Sequence, residues 1–191
     1  MKKITDELIR VKKELFLKES ANYIDKVGYN NFKITELAKQ LETSVGTLYN
    51  LFSSKEQLYL DYLLLKLQLF SEKLAALETT NAMENLKLYL GCKYEIFIRI
   101  DKNKPLTSDP CFFHKLDVVN HPIVLEIYEF LERQFKSLYP KNNLNYRHQA
   151  ILFKKFSDGF IESYLIEPYK INNIIEDTLN QFFKGLSFIG T

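Results

Sequence analysis

Residues 34–52 set two short apolar-faced segments on either side of a three-residue turn. In the first, Ile34, Leu37, Ala38 and Leu41 recur at spacings of three and four, which places them on one face of a helix from Lys33 to Leu41. Glu42-Thr43-Ser44 makes the turn, and Ser44 stands where its hydroxyl can accept from an orphan backbone N–H of the next helix. That next helix runs from Val45 to Phe52, with Leu48 and Phe52 inward and Ser44, Thr47, Tyr49 and Asn50 outward. A core helix would not expose Thr47, Tyr49 and Asn50 together, and a loose loop would not carry Val45, Leu48, Leu51 and Phe52. A longer helix over 7–27 precedes the pair, with Phe16, Leu17, Ser20, Ala21 and Ile24 on a narrow face. Gly28 ends it, in the place a helix-terminating glycine usually takes. Two short helices joined this way and braced by a third make a helix-turn-helix.

The remainder also reads as helix. Six Gly and five Pro in 191 residues allow few turns, which argues for long helices over many short strands. Ser54 is a plausible cap for a fourth helix from Lys55. Later candidates are Asn81–Asp101, Cys111–Val119, Pro122 to Pro140, Asn143–Ile166 and Ile171–Leu186, with KNKPLTSDP (102–110) as a loop. The expected fold is all-α with about nine helices: a helix-turn-helix domain over 1–54, then a larger helical domain over 55–191. The stretch LYLDYLLLKLQLF (58–70) is broken by Asp61, Lys66 and Gln68 and falls short of the ~20 apolar residues that a membrane span requires. With no apolar leader at the N-terminus and only Cys92 and Cys111, a cytoplasmic protein with reduced thiols and no membrane partner is expected. Cys111 and His114 could supply two metal ligands, but no second pair completes a site, so neither metal nor cofactor is expected.

Net charge is +2, which selects no partner. The first 55 residues nevertheless hold ten Lys and Arg against seven Asp and Glu, a weak pointer to an anionic one. The second helix of a helix-turn-helix can enter the DNA major groove with its N-terminal residues toward the bases. Hydroxyls and amides suit that task, and Gly46 lets the helix backbone come close to a duplex. Lys55 stands in the first turn of the fourth helix, where a cation opposes the helix dipole; a phosphate bound there removes the conflict. The same geometry also occurs as plain packing, so spacing alone leaves DNA binding open.

GYNNFKITELAKQLETSVGTLYNLFSSKEQL (28–58) resembles the DNA-binding segment of the tetracycline-repressor-like (TetR/AcrR) family of transcriptional regulators. The matching residues are Gly28-Tyr29, Ile34, Leu37-Ala38, Ser44, Gly46-Thr47-Leu48-Tyr49, Phe52 and Ser54-Lys55-Glu56. The resemblance covers about 45 residues, from Leu15 to Tyr59. It implies that Tyr49 and Lys55 contact phosphates, that Thr47 contacts phosphate or base, and that Gly46 lies against a base edge. Thr43, Ser44, Val45 and Asn50 are positional candidates, and Lys33 could reach a phosphate. Asn50 stands where the family often has an aromatic or basic residue, so base preference does not carry over from the resemblance. Two further departures stand out. Phe32 replaces a capping Thr that Lys33 cannot substitute, and Leu41-Glu42 replaces Ala-Gly, which brings a carboxylate toward the duplex.

A single reading unit makes few contacts, so a homodimer on a near-palindromic double-stranded operator is expected. Phe153, Phe156, Phe160, Ile161 and Tyr164 in one late helix, and Ile174, Ile175, Leu179, Phe182 and Phe183 in the last, form an apolar surplus. It suits either a dimer interface, which the resemblance implies, or closure of the monomer core. Tyr89, Tyr94, Phe97, Phe112, Phe113, His114 and Tyr128 are candidate lining for a small-molecule effector pocket, or core. No GxSxG, glycine-rich phosphate loop or HExxH is present, so an enzyme is not expected. The expected function is a ligand-responsive regulator, by family habit a repressor released by a small apolar or aromatic molecule. The rival is a helical interaction module without DNA binding.

Overall fold

Gly28 ends the first helix as its position suggests: it takes φ +75°, and its N–H donates to the Ile24 carbonyl at 2.8 Å. The computed structural model describes residues 2–28, 31–97, 121–141, 144–166 and 173–187. Eight helices occur among these: α1 Lys2–Val27, α2 Ile34–Gln40, α3 Val45–Phe52, α4 Lys55–Leu77, α5 Ala82–Phe97, α6 Pro122–Leu138, α7 Tyr146–Ile166 and α8 Ile174–Ser187. No strand occurs among the described residues. The first helix starts at Lys2 rather than near residue 7, because nothing between them breaks a helix. The expected helix over Cys111–Val119 lies outside the described residues. No described helix is long and apolar enough to cross a membrane.

The described residues fall into two compact units, one built from those up to Lys66 and the other from those after it. In the first, Ile24, Phe32, Leu37, Leu48, Phe52 and Leu58 are each 1% exposed or less. Burying each such side chain contributes about 1.5–3 kcal/mol. The unit extends past Ser54 because the start of α4 is bonded into it. The Asp25 carboxylate of α1 accepts from the Tyr62 hydroxyl at 2.8 Å and from the Lys66 ammonium at 2.5 Å. Lys13 on α1 pairs with Asp61 on α4 at 2.8 Å.

The second unit is centred on aromatic rings. Phe153 lies 4.9 Å from Phe182 and 5.7 Å from Phe135, centroid to centroid, both edge-on. A buried amide pair, Asn85 Nδ2 to Gln134 Oε1 at 2.9 Å, joins α5 to α6. Between α5 and α7 the Lys93 ammonium donates to Asp158 Oδ1, to Ser157 Oγ at 2.6 Å and to the Lys154 carbonyl at 3.3 Å. Lys154 Nζ bonds the other oxygen of Asp158 at 2.9 Å. Burial pushes Lys93 down to about 8 although Asp158 pulls it up. Burial pushes Asp158 up, but the two ammoniums outweigh it and hold the carboxyl below its ordinary value.

Candidate nucleic-acid interface

The turn before α3 is built by backbone bonds rather than by a glycine. Glu42 N–H donates to Lys39 O at 3.1 Å and Thr43 N–H to Ala38 O at 2.9 Å, a Schellman closure of α2. That closure needs a left-handed residue, and Glu42 supplies it at φ 49° with its carboxylate in solvent. A side chain in this conformation costs about 1–2 kcal/mol relative to glycine.

Ser44 caps α3. Its Oγ accepts from Thr47 N–H at 3.0 Å and lies 2.9 Å from the Thr47 hydroxyl. Such a cap contributes about 1 kcal/mol. Leu48 and Phe52 anchor the helix, fully buried, over Leu37 and Ala38 of α2, while Ile34 and Leu41 stay half-buried. The face left outward is Gly46, Tyr49 and Asn50, with Tyr49 42% exposed. Residues three and four apart are neighbours on a helix, so Tyr49 and Asn50 flank the gap left by Gly46. A Cβ at Gly46 would meet only Ser44 Oγ, at an ordinary 3.7 Å. Nothing inside the protein therefore requires glycine here, although glycine costs a helix about 1 kcal/mol.

Ser54 Oγ accepts from Gln57 N–H at 3.0 Å and caps α4. Half-buried Lys55 follows, its ammonium 5.3 Å from the Phe32 ring centroid. Phe32 itself is 1% exposed and packs edge-on to Tyr23 at 5.9 Å. The missing cap of α2 is real: Lys33, at its N-cap, makes no side-chain capping bond and is exposed. Phe32 instead serves as a core anchor, a role that residue-by-residue comparison missed because a capping position is not ordinarily buried. Among the sequence candidates, Lys33, Gly46, Tyr49 and Asn50 are exposed; Thr43, Val45, Thr47 and Lys55 are half-buried; and the hydroxyls of Ser44 and Thr47 are turned toward each other.

Of the pocket candidates, Tyr89, Tyr94 and Tyr128 have described side chains. Tyr89 is buried against Phe70 and Phe153, with ring centroids 5.6 and 5.8 Å away. Tyr94 is buried with its hydroxyl 2.8 Å from Thr178 Oγ1. Tyr128 is half-buried beneath the Arg147 guanidinium at 5.0 Å. The side chain of Phe97 and all of Phe112, Phe113 and His114 lie outside the described residues. The grooves found lie elsewhere, between α4 and α6, about 200 and 270 Å³ in volume, with Ser71, Ala75 and Glu126 common to both. Of the interface candidates, Phe153, Ile161, Leu179 and Phe182 are buried within the chain itself. Phe156, Phe160, Ile175 and Phe183, together with Ile174, are half-buried, and the side chain of Tyr164 lies outside the described residues.

Residues 16–62 match the family model of bacterial regulatory proteins of the tetR family. No curated protein matches the sequence. Among solved structures, the fatty acid degradation regulator FadR of Bacillus halodurans superposes with TM-score 0.68 at 15% identity, covering 90% of this chain and 94% of its own. FadR from Bacillus subtilis, solved with stearoyl-CoA, gives TM-score 0.61 at 16% identity, over 87% and 94%. AibR, solved with isovaleryl coenzyme A and operator DNA, gives 0.55 at 16% identity, over 88% and 96%. The matched segment contains the whole α2–α3 pair with its cap, its buried anchors and its exposed glycine, so residues 16–62 are similar to the tetR family of bacterial regulatory proteins.

Proposed function

We propose that this chain is a ligand-responsive transcriptional regulator that binds a near-palindromic operator as a homodimer and represses until a small apolar or aromatic molecule releases it. Gly46 carries the reading. A helical glycine whose place would accept a side chain, with only an ordinary 3.7 Å contact to Ser44 Oγ, is costly for the fold, and a groove wall brought close to the backbone gives that cost a purpose. Tyr49 and Lys55 then hold phosphates on either side, with Lys33 a further contact.

The homodimer is supported by apolar surface that the monomer leaves open on α7 and α8. Leu152 is 42% exposed, and the half-buried rings of Phe156 and Phe160 stand 5.3 Å apart beside Gly159, where an added Cβ would meet nothing within 4 Å. Helix α4 contributes its first turns to the DNA-reading unit and its later turns to the second unit. Effector binding in the second unit is read out as a shift of α4 that misaligns the two readers, and coupling of about 1–3 kcal/mol is typical of such linkage. The acyl-CoA thioesters held by the similar structures make an acyl-CoA series a sensible first set of effectors to try.

A gel shift with DNA upstream of the chain's own gene tests the reading. A discrete complex dispersed by one of the effectors is expected; the absence of any complex at low salt would refute DNA binding.

A further inference from the structure

The sequence of α3 is VGTLYNLF, without an Arg, Lys, His, Asp or Glu. The commonest direct reader of a guanine edge is an Arg or Lys that reaches O6 and N7 together. This recognition helix has none. Its polar resources are few, because the Thr47 hydroxyl is already bonded to Ser44. Tyr49 stands on the same outward face, and the side-chain amide of Asn50 is exposed with no hydrogen bond to any described residue.

An amide offers a donor and an acceptor side by side. In the major groove that pair matches the N6 donor and N7 acceptor of adenine. Val45, in the first turn of α3, is half-buried and presents only methyl groups. Their natural counterpart in the groove is the C5-methyl of thymine. We infer that α3 reads A·T pairs, adenine through Asn50 and the thymine methyl through Val45, and contacts no guanine edge. This specificity rests on the proposed DNA binding and deepens it: Tyr49, Lys55 and Lys33 set the register, and two uncharged side chains choose the sequence.

The test begins with the full-length chain and a randomised duplex library, from which the preferred operator is selected. Binding is then measured with base analogues placed one at a time in the selected duplex. Replacing one adenine per half-site by 7-deazaadenine, which lacks N7, should weaken the wild type by about 5- to 100-fold. Replacing one thymine by deoxyuridine should weaken it by about fourfold, the worth of one buried methyl. Asn50→Ala should abolish the first penalty and Val45→Ala the second, while thermal melting verifies that both variants are folded. Equal penalties in wild type and variants, or a guanine whose 7-deaza analogue carries the main loss at the Asn50 position, would overturn the inference while leaving DNA binding intact. Retention of no duplex from the library would defeat the DNA-binding reading itself.

Discussion

The Lys55 ammonium lies 5.3 Å from the ring centroid of Phe32, so the residue that stands in place of a cap supports the residue assigned to phosphate. Cation–π contacts at partly exposed sites are worth about 0.5–1 kcal/mol. Lys55→Ala should therefore cost little stability but weaken binding to all DNA sequences alike, and lower the slope of log affinity against log salt by about one for each phosphate no longer neutralised. Fluorescence anisotropy across a salt series checks this, and an unchanged slope removes Lys55 from the interface.

Gly46→Ala should move stability and binding in opposite directions. The added methyl meets nothing closer than 3.7 Å within the protein, and alanine favours helix by up to about 1 kcal/mol. Thermal melting should show equal or higher stability. Operator affinity should fall by about tenfold or more, equivalent to ~1.4 kcal/mol. A stable variant that binds normally would show that α3 does not approach DNA at this point.

Glu42→Gly should stabilise the first unit by about 1 kcal/mol, because it relieves the left-handed backbone at φ 49°. It should also raise DNA affinity by removing a carboxylate from the turn. Glu42→Gln separates the two effects: it keeps the backbone strain and removes only the charge. Melting temperature should follow the glycine variant alone, and affinity should follow both.

Phe32→Ala should cost about 3–5 kcal/mol, the usual range for a buried ring. Chemical denaturation would record it. A change under about 1 kcal/mol, well below that range, would mean that α2 is not held by this ring.

Lys93 yields a pH signature. Its folded value is about 8, while the unfolded chain holds the ordinary value of 10.5. Between these values the unfolded state binds the extra proton, so this group makes stability rise with pH. Relative to Lys93→Met, the wild type should gain stability from about pH 8 to about pH 10, and below about pH 8 the difference should be flat. Paired denaturation curves check the sign. Asp158→Ala, which strands two buried ammoniums, should cost about 3–5 kcal/mol.

The reader was legible because its information is local. A serine three residues before a bonded N–H, and Leu48 and Phe52 four apart, define α3 without reference to the rest of the chain. The second unit was legible in outline only. Helix α7 is apolar on more than one side, and periodicity cannot say that Phe153 and Ile161 turn inward while Phe156 and Phe160 stay half-buried. That choice is made by Phe135 and Phe182, which arrive from other helices. The Lys93–Asp158 pair joins residues 65 positions apart, beyond any helical spacing rule. Phe32 misled for a different reason: its burial depends on Tyr23 and Lys55, neither of which marks it in the sequence.

Asp25 bonds Tyr62 and Lys66 through separate oxygens, and those two residues lie four apart on one side of α4. Such a two-point rivet resists both sliding and swivelling of the early turns of α4 against α1. Pinned at both points, the early turns of α4 and the end of α1 hold together as one piece of the first unit.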